Sequence, residues 1–172
     1  LDPLIEELFP LREEIGRGDF MILDQFIDFT RLRTVSFDDV FPEGGRHTPM
    51  PDPFDEGIRN AMISSAQDMN IKHHKRGTVI TIEGNRFSTR AESHMFRAWG
   101  ADVINMSIAP ECILANEAGI PYGAVAMSTD YDCWKEDEAP VSWDDILEVF
   151  KANVDKVTQL LVNTIPKLAA GE

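Results

Sequence analysis

Hydrophobic and polar positions along the chain alternate between two periods. From Asp19 to Asp28, the run Phe20-Met21-Ile22-Leu23-Asp24-Gln25-Phe26-Ile27 reads as one mostly buried strand, introduced by the turn pair Gly18-Asp19. Residues 36–53 are rich in Pro, Gly and Asp and predict a long surface loop, a length that compact domains keep for functional segments. Ile58, Met62, Ala66 and Met69 then recur at helical spacing, so a helix is expected from Phe54 to Met69. Gly77 to Ile82 is β-branched and bounded by Gly77 and Gly84, hence a strand. Thr89 and Glu92 have capping-box spacing at the head of a helix ending near Trp99. Ala101–Met106 reads as another strand. Pro110 opens a helix to Glu117, with Gly119 placed for a left-handed cap.

Ile120–Met127 predicts a further strand, ending in Ser128-Thr129-Asp130-Tyr131-Asp132. The last helix is expected from Trp143 to Asn163. Ser142 and Asp145 form its capping box, Val141 staples onto Ile146, and Pro166 stops it. Its core stripe is Ile146, Phe150, Val154, Val157 and Leu161. Strands alternating with helices indicate a single α/β domain, residues 1–172, with a substantially parallel sheet.

Composition narrows the function classes. The chain has 172 residues, 43% of them hydrophobic, enough for a packed core. Sixteen Lys and Arg face 30 Asp and Glu, a formal charge of −14, which opposes binding to nucleic acid or anionic membranes. No apolar run is long enough to span a bilayer. Cys112 and Cys133 fit neither a disulfide framework nor a CxxC motif, so reduced thiols in a cytoplasmic protein are expected. His47, His73, His74 and His94 form no zinc-binding pattern, and no metal or organic cofactor is expected.

Ligands of open α/β sheets gather at the carboxyl ends of strands. Three such ends carry polar, aromatic or thioether groups: Glu83 to Ser88, Asn105-Met106-Ser107, and Thr129 to Asp132. Asp130 and Asp132, two residues apart, point the same way on an extended chain. Such a pair binds a metal, holds a proton, or hydrogen-bonds an amino-bearing heterocycle, and a solvated turn is the plainer reading from spacing alone. Phe87 and Met106 read equally as core, Ser107 as a helix cap, and His47 as an exposed loop residue. Arg86 and Arg90 suit an anion clamp or pairing with Glu83 or Glu92.

Taken together, several segments resemble the methylthioadenosine phosphorylases of the purine nucleoside phosphorylase family. They are Leu11–Ile15, Gly18-Asp19, Asp24–Asp28, Thr81–Gly84, Arg86–Ser88, Arg90–Ser93, Trp99–Met106 and Thr129–Trp134. The similarity covers residues 11–168 in order, and 1–10 match nothing in the family. The resemblance implies a three-layer α/β/α phosphorylase-like fold with a mixed, largely parallel sheet, N-terminally truncated. The family's glycine-rich phosphate loop and Arg-His pair lie upstream of this match. It implies phosphorolysis of 5′-methylthioadenosine to adenine and 5-methylthioribose 1-phosphate, with inorganic phosphate as co-substrate and no cofactor.

By that resemblance Asp130 shares a proton with purine N7, Asp132 accepts from the 6-amino group, and Thr129 adjoins them. Phe87 stacks on the base and Met106 packs under the ribose. Ser107 contacts phosphate, where the family has Thr, and Trp143 and Ile146 line the methylthio pocket. His47 reaches a neighbouring subunit's site, which implies a homotrimer. Asn85 stands where the family usually has Pro. Relatives acting on 6-oxopurines resemble Phe-Glu and Thr-Asn where this chain has Phe87-Ser88 and Thr129-Asp130, so adenine-type substrates are expected. Three other readings stand beside this one: a non-catalytic nucleoside-binding or oligomerisation fragment, a 6-oxopurine nucleoside phosphorylase, and a hydrolase using water as nucleophile.

Overall fold

The computed structural model describes residues 6–41, 47–129, 131–136 and 143–170. Its strands are β1 (Glu6–Pro10), β2 (Phe20–Ile22), β3 (Gln25–Phe29), β4 (His73–His74), β5 (Thr78–Ile82), β6 (Val103–Asn105) and β7 (Val125–Ser128). Its helices are α1 (Glu56–Asp68), α2 (Arg90–Ala98), α3 (Ile108–Glu117) and α4 (Trp143–Ala170).

The apolar run 20–29 is two strands, not one. It breaks at Leu23-Asp24, where the Leu23 N–H turns to Ala124 O and those of Asp24 and Gln25 both turn to Gly77 O. Residues 73–82 break in step. Phe20 pairs with His73 and Gln25 with Thr78, in the same parallel register on both sides of the break. In the order β3-β5-β6-β1-β7-β2-β4 the consecutive strands β2 and β3 therefore lie towards opposite ends, and the sheet closes on itself. An unbroken apolar run reports burial on both faces, not which neighbour each half acquires, so the split was invisible in sequence.

Direction needs a second correction. β5 runs parallel to β6, β6 antiparallel to β1, and β1 parallel to β7. β7 therefore runs against β5 and β6, and its carboxyl end does not share their edge. The sheet is mixed, as expected of the fold class. β1, drawn from a segment without a sequence assignment, lies between β6 and β7, and the two-residue β4 was likewise not expected.

The helices cover this sheet for reasons readable locally. Asp55 caps α1 by accepting the Ile58 N–H at 2.8 Å, and Ala61, Met62, Ser65 and Ala66 face inward. Both halves of the Thr89–Glu92 capping box are present on α2. Gly119, at φ 72°, supplies the left-handed turn after α3. α4 continues through Pro166 to Ala170 instead of stopping there. Proline frees the carbonyl four residues earlier, on Val162, which is exposed and can be hydrated by water. Val157 and Leu160 carry the buried face of α4 against Phe20, Ile22, Met62 and Met127. Each fully buried large apolar side chain contributes about 1.5–3 kcal/mol relative to exposure. The expected Ser142 cap and Val141 staple lie outside the described residues, as do the side chains of Ile146 and Phe150.

Candidate functional site

The site is built on two strands, the turn after β5, the segment after β7, and helices α2 and α3. β5 and β6 end side by side with Thr81 opposite Asn105. The Thr81 hydroxyl donates to Asn105 Oδ1 at 2.7 Å and accepts the Ala109 N–H at 3.0 Å, which ties both strands to the first turn of α3. Ser107 occupies the N-cap position but makes no side-chain capping bond. The Asn105 amide points to its hydroxyl at 3.5 Å. Met106 is half-buried, and a Cβ on Gly84 would lie 4.0 Å from its sulfur, so the β5 and β6 tips are in contact.

Carboxylates brace the turn from Glu83 to Thr89 at both ends. Glu83 accepts the Arg31 and Leu32 N–H groups at 2.9 Å each and Arg33 Nε at 2.6 Å. Those bonds, the Arg31 N–H foremost, hold its carboxyl at about 2. Glu92 receives both ends of the Arg86 guanidinium at 2.7 Å and the Thr89 N–H at 2.8 Å. The Arg86 bonds chiefly, then the Thr89 N–H, hold Glu92 at about 2 as well. Arg86 is therefore committed to Glu92, and Arg90 turns to Cys133 O and Glu136. Asn85 adopts φ 74°, a backbone that asparagine tolerates. Phe87 is 52% exposed at the crest, its ring edge-on to Phe9 at 5.2 Å.

Residues 131–134 return from β7 onto α2. The Asp132 N–H donates to Pro10 O at 3.3 Å, and its side chain, only 7% exposed, lies beside the Ser93 hydroxyl. Burial raises the Asp132 carboxyl above the ordinary range, and the Glu92 charge adds to the rise. The Cys133 thiol points to Ser88 O at 3.4 Å, so the carboxylate segment and the Phe87 turn touch. Burial, and then the Asp132 charge, raises the Cys133 thiol too.

The structure thus sets Met106 and Ser107 at the β5 and β6 tips and Asp132 against α2, with the turn that carries Phe87 touching both Met106, through Gly84, and Cys133, through Ser88. Thr129 is fully buried. Asp130 lies outside the described residues. Trp143 opens α4 and Ile146 follows one turn later, and their side chains also lie outside the described part. His47 is elsewhere, exposed on the long loop, lining a cavity of about 820 Å³ with Ser36, Met50, Ile113 and Glu117. A cavity of about 500 Å³ adjoins the Phe87 turn, lined by Phe29, Arg31, Ile82, Arg86, Glu92 and Phe96. Ser93, which faces the buried carboxylate, was missed in sequence; its place on the inward face of α2 was the available signal. Among the described residues no group of three or more His, Cys, Asp or Glu is arranged to hold a metal, and no helix is long and apolar enough to cross a membrane.

A mixed sheet thus carries a buried carboxylate and an exposed aromatic ring against the flanks of one helix. The chain belongs to the phosphorylase superfamily, whose family model matches residues 11–166. It is 53% identical over 163 residues to the S-methyl-5′-thioadenosine phosphorylase of Xenopus tropicalis, a match covering 93% of this chain and 58% of that protein. It is 50% identical over 161 residues to the Danio rerio protein of the same name, covering 92% and 58%. The chain therefore spans about 58% of the length of these relatives. Among solved structures it is similar to the methylthioadenosine phosphorylase of Schistosoma mansoni in complex with adenine, at 34% identity and TM-score 0.89, over 96% of this chain and 64% of that one. A mutant of the Schistosoma mansoni enzyme in complex with methylthioadenosine gives TM-score 0.88 over 96% and 63%.

Proposed function

We propose that this chain carries the nucleoside-binding half of a site that phosphorolyses 5′-methylthioadenosine. The observation that carries the reading is the buried Asp132, braced on α2 beside the Phe87 turn, in a chain so similar to proteins named for that activity. In the reaction a phosphate oxygen bonds to the sugar anomeric carbon as the bond from that carbon to purine N9 breaks. Adenine leaves with a proton gained at the ring, and 5-methylthioribose 1-phosphate is the second product. Negative charge builds on the departing purine, so a carboxyl group able to hold a proton there lowers the barrier. Asp130 is assigned the N7 proton and Asp132 the 6-amino group.

Phe87 offers its exposed face to the base, and Met106 shields the cation-like sugar from water. Ser107, which makes no side-chain capping bond at the positive end of α3, is assigned the phosphate. Thr129 backs the carboxylates, and Trp143 and Ile146 line the 5′-substituent pocket. The same reading includes a homotrimer in which exposed His47 reaches a neighbour's site, and a cytoplasmic setting that suits two free cysteines.

The test is adenine release from 5′-methylthioadenosine with and without phosphate, beside Asp130→Asn and Asp132→Asn. Phosphate-dependent release lost in both variants supports the reading. Release independent of phosphate indicates hydrolysis. Binding of the nucleoside without any release indicates a binding fragment.

A further inference from the structure

The Trp134 ring is held from two sides. Its indole N–H donates to Pro10 O at 2.9 Å, and the Arg97 guanidinium lies over its ring at 3.7 Å from the centroid. Arg97 stands in the last turn of α2, the helix whose first turn carries Thr89 and Glu92 and follows directly on Phe87 and Ser88. Between these two points the carboxylate segment touches α2 or its flanks repeatedly. Arg90 Nε donates to Cys133 O at 3.4 Å, the Cys133 thiol to Ser88 O at 3.4 Å, and Asp132 lies beside Ser93. Tyr131 closes the far side, donating from its hydroxyl to Glu13 O at 3.1 Å and meeting Trp134 edge-on at 5.9 Å.

α2 is therefore a shared frame, with the base-facing ring at its head and the carboxylate segment along its side. We propose that Arg97 is a positioning residue that clamps Trp134 and so fixes the distance between Asp132 and the Phe87 turn. The inference rests on the functional reading above for its consequence in adenine binding, but not for the clamp itself. The delocalised guanidinium stacks on an indole face better than an ammonium while both keep the charge. Replacing Arg97 by Lys should therefore keep only part of the effect, and replacing it by Ala should lose it. Trp134→Phe keeps an aromatic face and loses the bond to Pro10.

Two measurements on the same chain separate the clamp from the activity. The first is the adenine Kd by calorimetry for the parent, Arg97→Ala and Arg97→Lys. The second is the alkylation rate of exposed Cys133 by a small thiol reagent, with buried Cys112 as the slow internal reference. Arg97→Ala should weaken adenine binding about two- to five-fold, the range of an exposed cation–π contact. It should also speed Cys133 alkylation by a similar factor, with Arg97→Lys falling between the parent and Ala in both and the unfolding transition staying cooperative. A parent that fails to bind adenine, while Arg97→Ala still accelerates alkylation, removes the nucleoside reading and keeps the clamp. Unchanged alkylation and unchanged Kd in Arg97→Ala overturn the clamp.

Discussion

Thr81 and Asn105, opposite one another on β5 and β6, share a buried hydrogen bond of 2.7 Å, and the same Thr81 hydroxyl accepts the Ala109 N–H of α3. One oxygen thus fastens two strand tips and a helix start beneath Met106 and Ser107. Thr81→Val keeps the shape but leaves Asn105 Oδ1 and the Ala109 N–H with one partner fewer. Each buried group so orphaned costs about 1–3 kcal/mol. Urea denaturation should show a loss of that order, and Thr81→Ser should retain most of the stability. A Val variant as stable as the parent would show that water replaces the hydroxyl.

Asp132 should reveal its role by opposite effects on stability and function. Burial raises its carboxyl, so its ionisation opposes folding. This cost is absent below the unfolded value of 3.8, sets in as pH rises above it, and is complete above the raised folded value. Asp132→Asn should therefore raise the Tm at pH 7, have little effect on it near pH 3, and abolish adenine release. A lower Tm at pH 7 would mean the carboxylate is held for structure.

The Arg86–Glu92 pair and the α2 capping box predict the reverse pH trend. Glu92 is depressed from 4.5 to about 2, so its contribution is full above the unfolded value and is lost as pH falls through the folded one. The Tm difference between parent and Glu92→Gln should be constant from pH 7 to about 5 and shrink between about 4.5 and 2. Thr89→Ala, which removes the N-cap oxygen, should cost about 1 kcal/mol at neutral pH. Thermal melts across this range measure both.

Gly77 sits where the paired runs 20–29 and 73–82 both break, with its N–H on Asp24 Oδ1 at 2.9 Å. A Cβ there would overlap the sulfur of buried Met21 and come within 2.8 Å of Met21 Cγ. Gly77→Ala should destabilise by about 1–3 kcal/mol, the usual range for overpacking. Pairing it with Met21→Ala should give a loss smaller than the sum of the two single losses. Strict additivity would place the strain in the backbone instead.

The chain by itself determined what depends on neighbours a few residues apart. The Thr89–Glu92 box, the α1 helix, the end of α3 at Glu117, the left-handed Gly119 and the β5 and β6 strands were readable because capping bonds, helical stripes and β-branched runs act locally, whereas α3 starts at Ile108, two residues before the expected Pro110. The shared motifs from Leu11 to Trp134 also carried the family. Tertiary structure decided what depends on which segments meet. It split the run at Leu23-Asp24, turned β7 against β5 and β6, drew in β1 and β4, and let α4 pass through Pro166. It also chose among equivalent charges: Arg33 for Glu83, Arg86 for Glu92. Sequence offers several partners of the right sign, and only chain topology brings one within bonding distance. Asp132 shows the difference most directly, since spacing allowed a solvated turn and only its packing beside Ser93 made it a buried carboxyl.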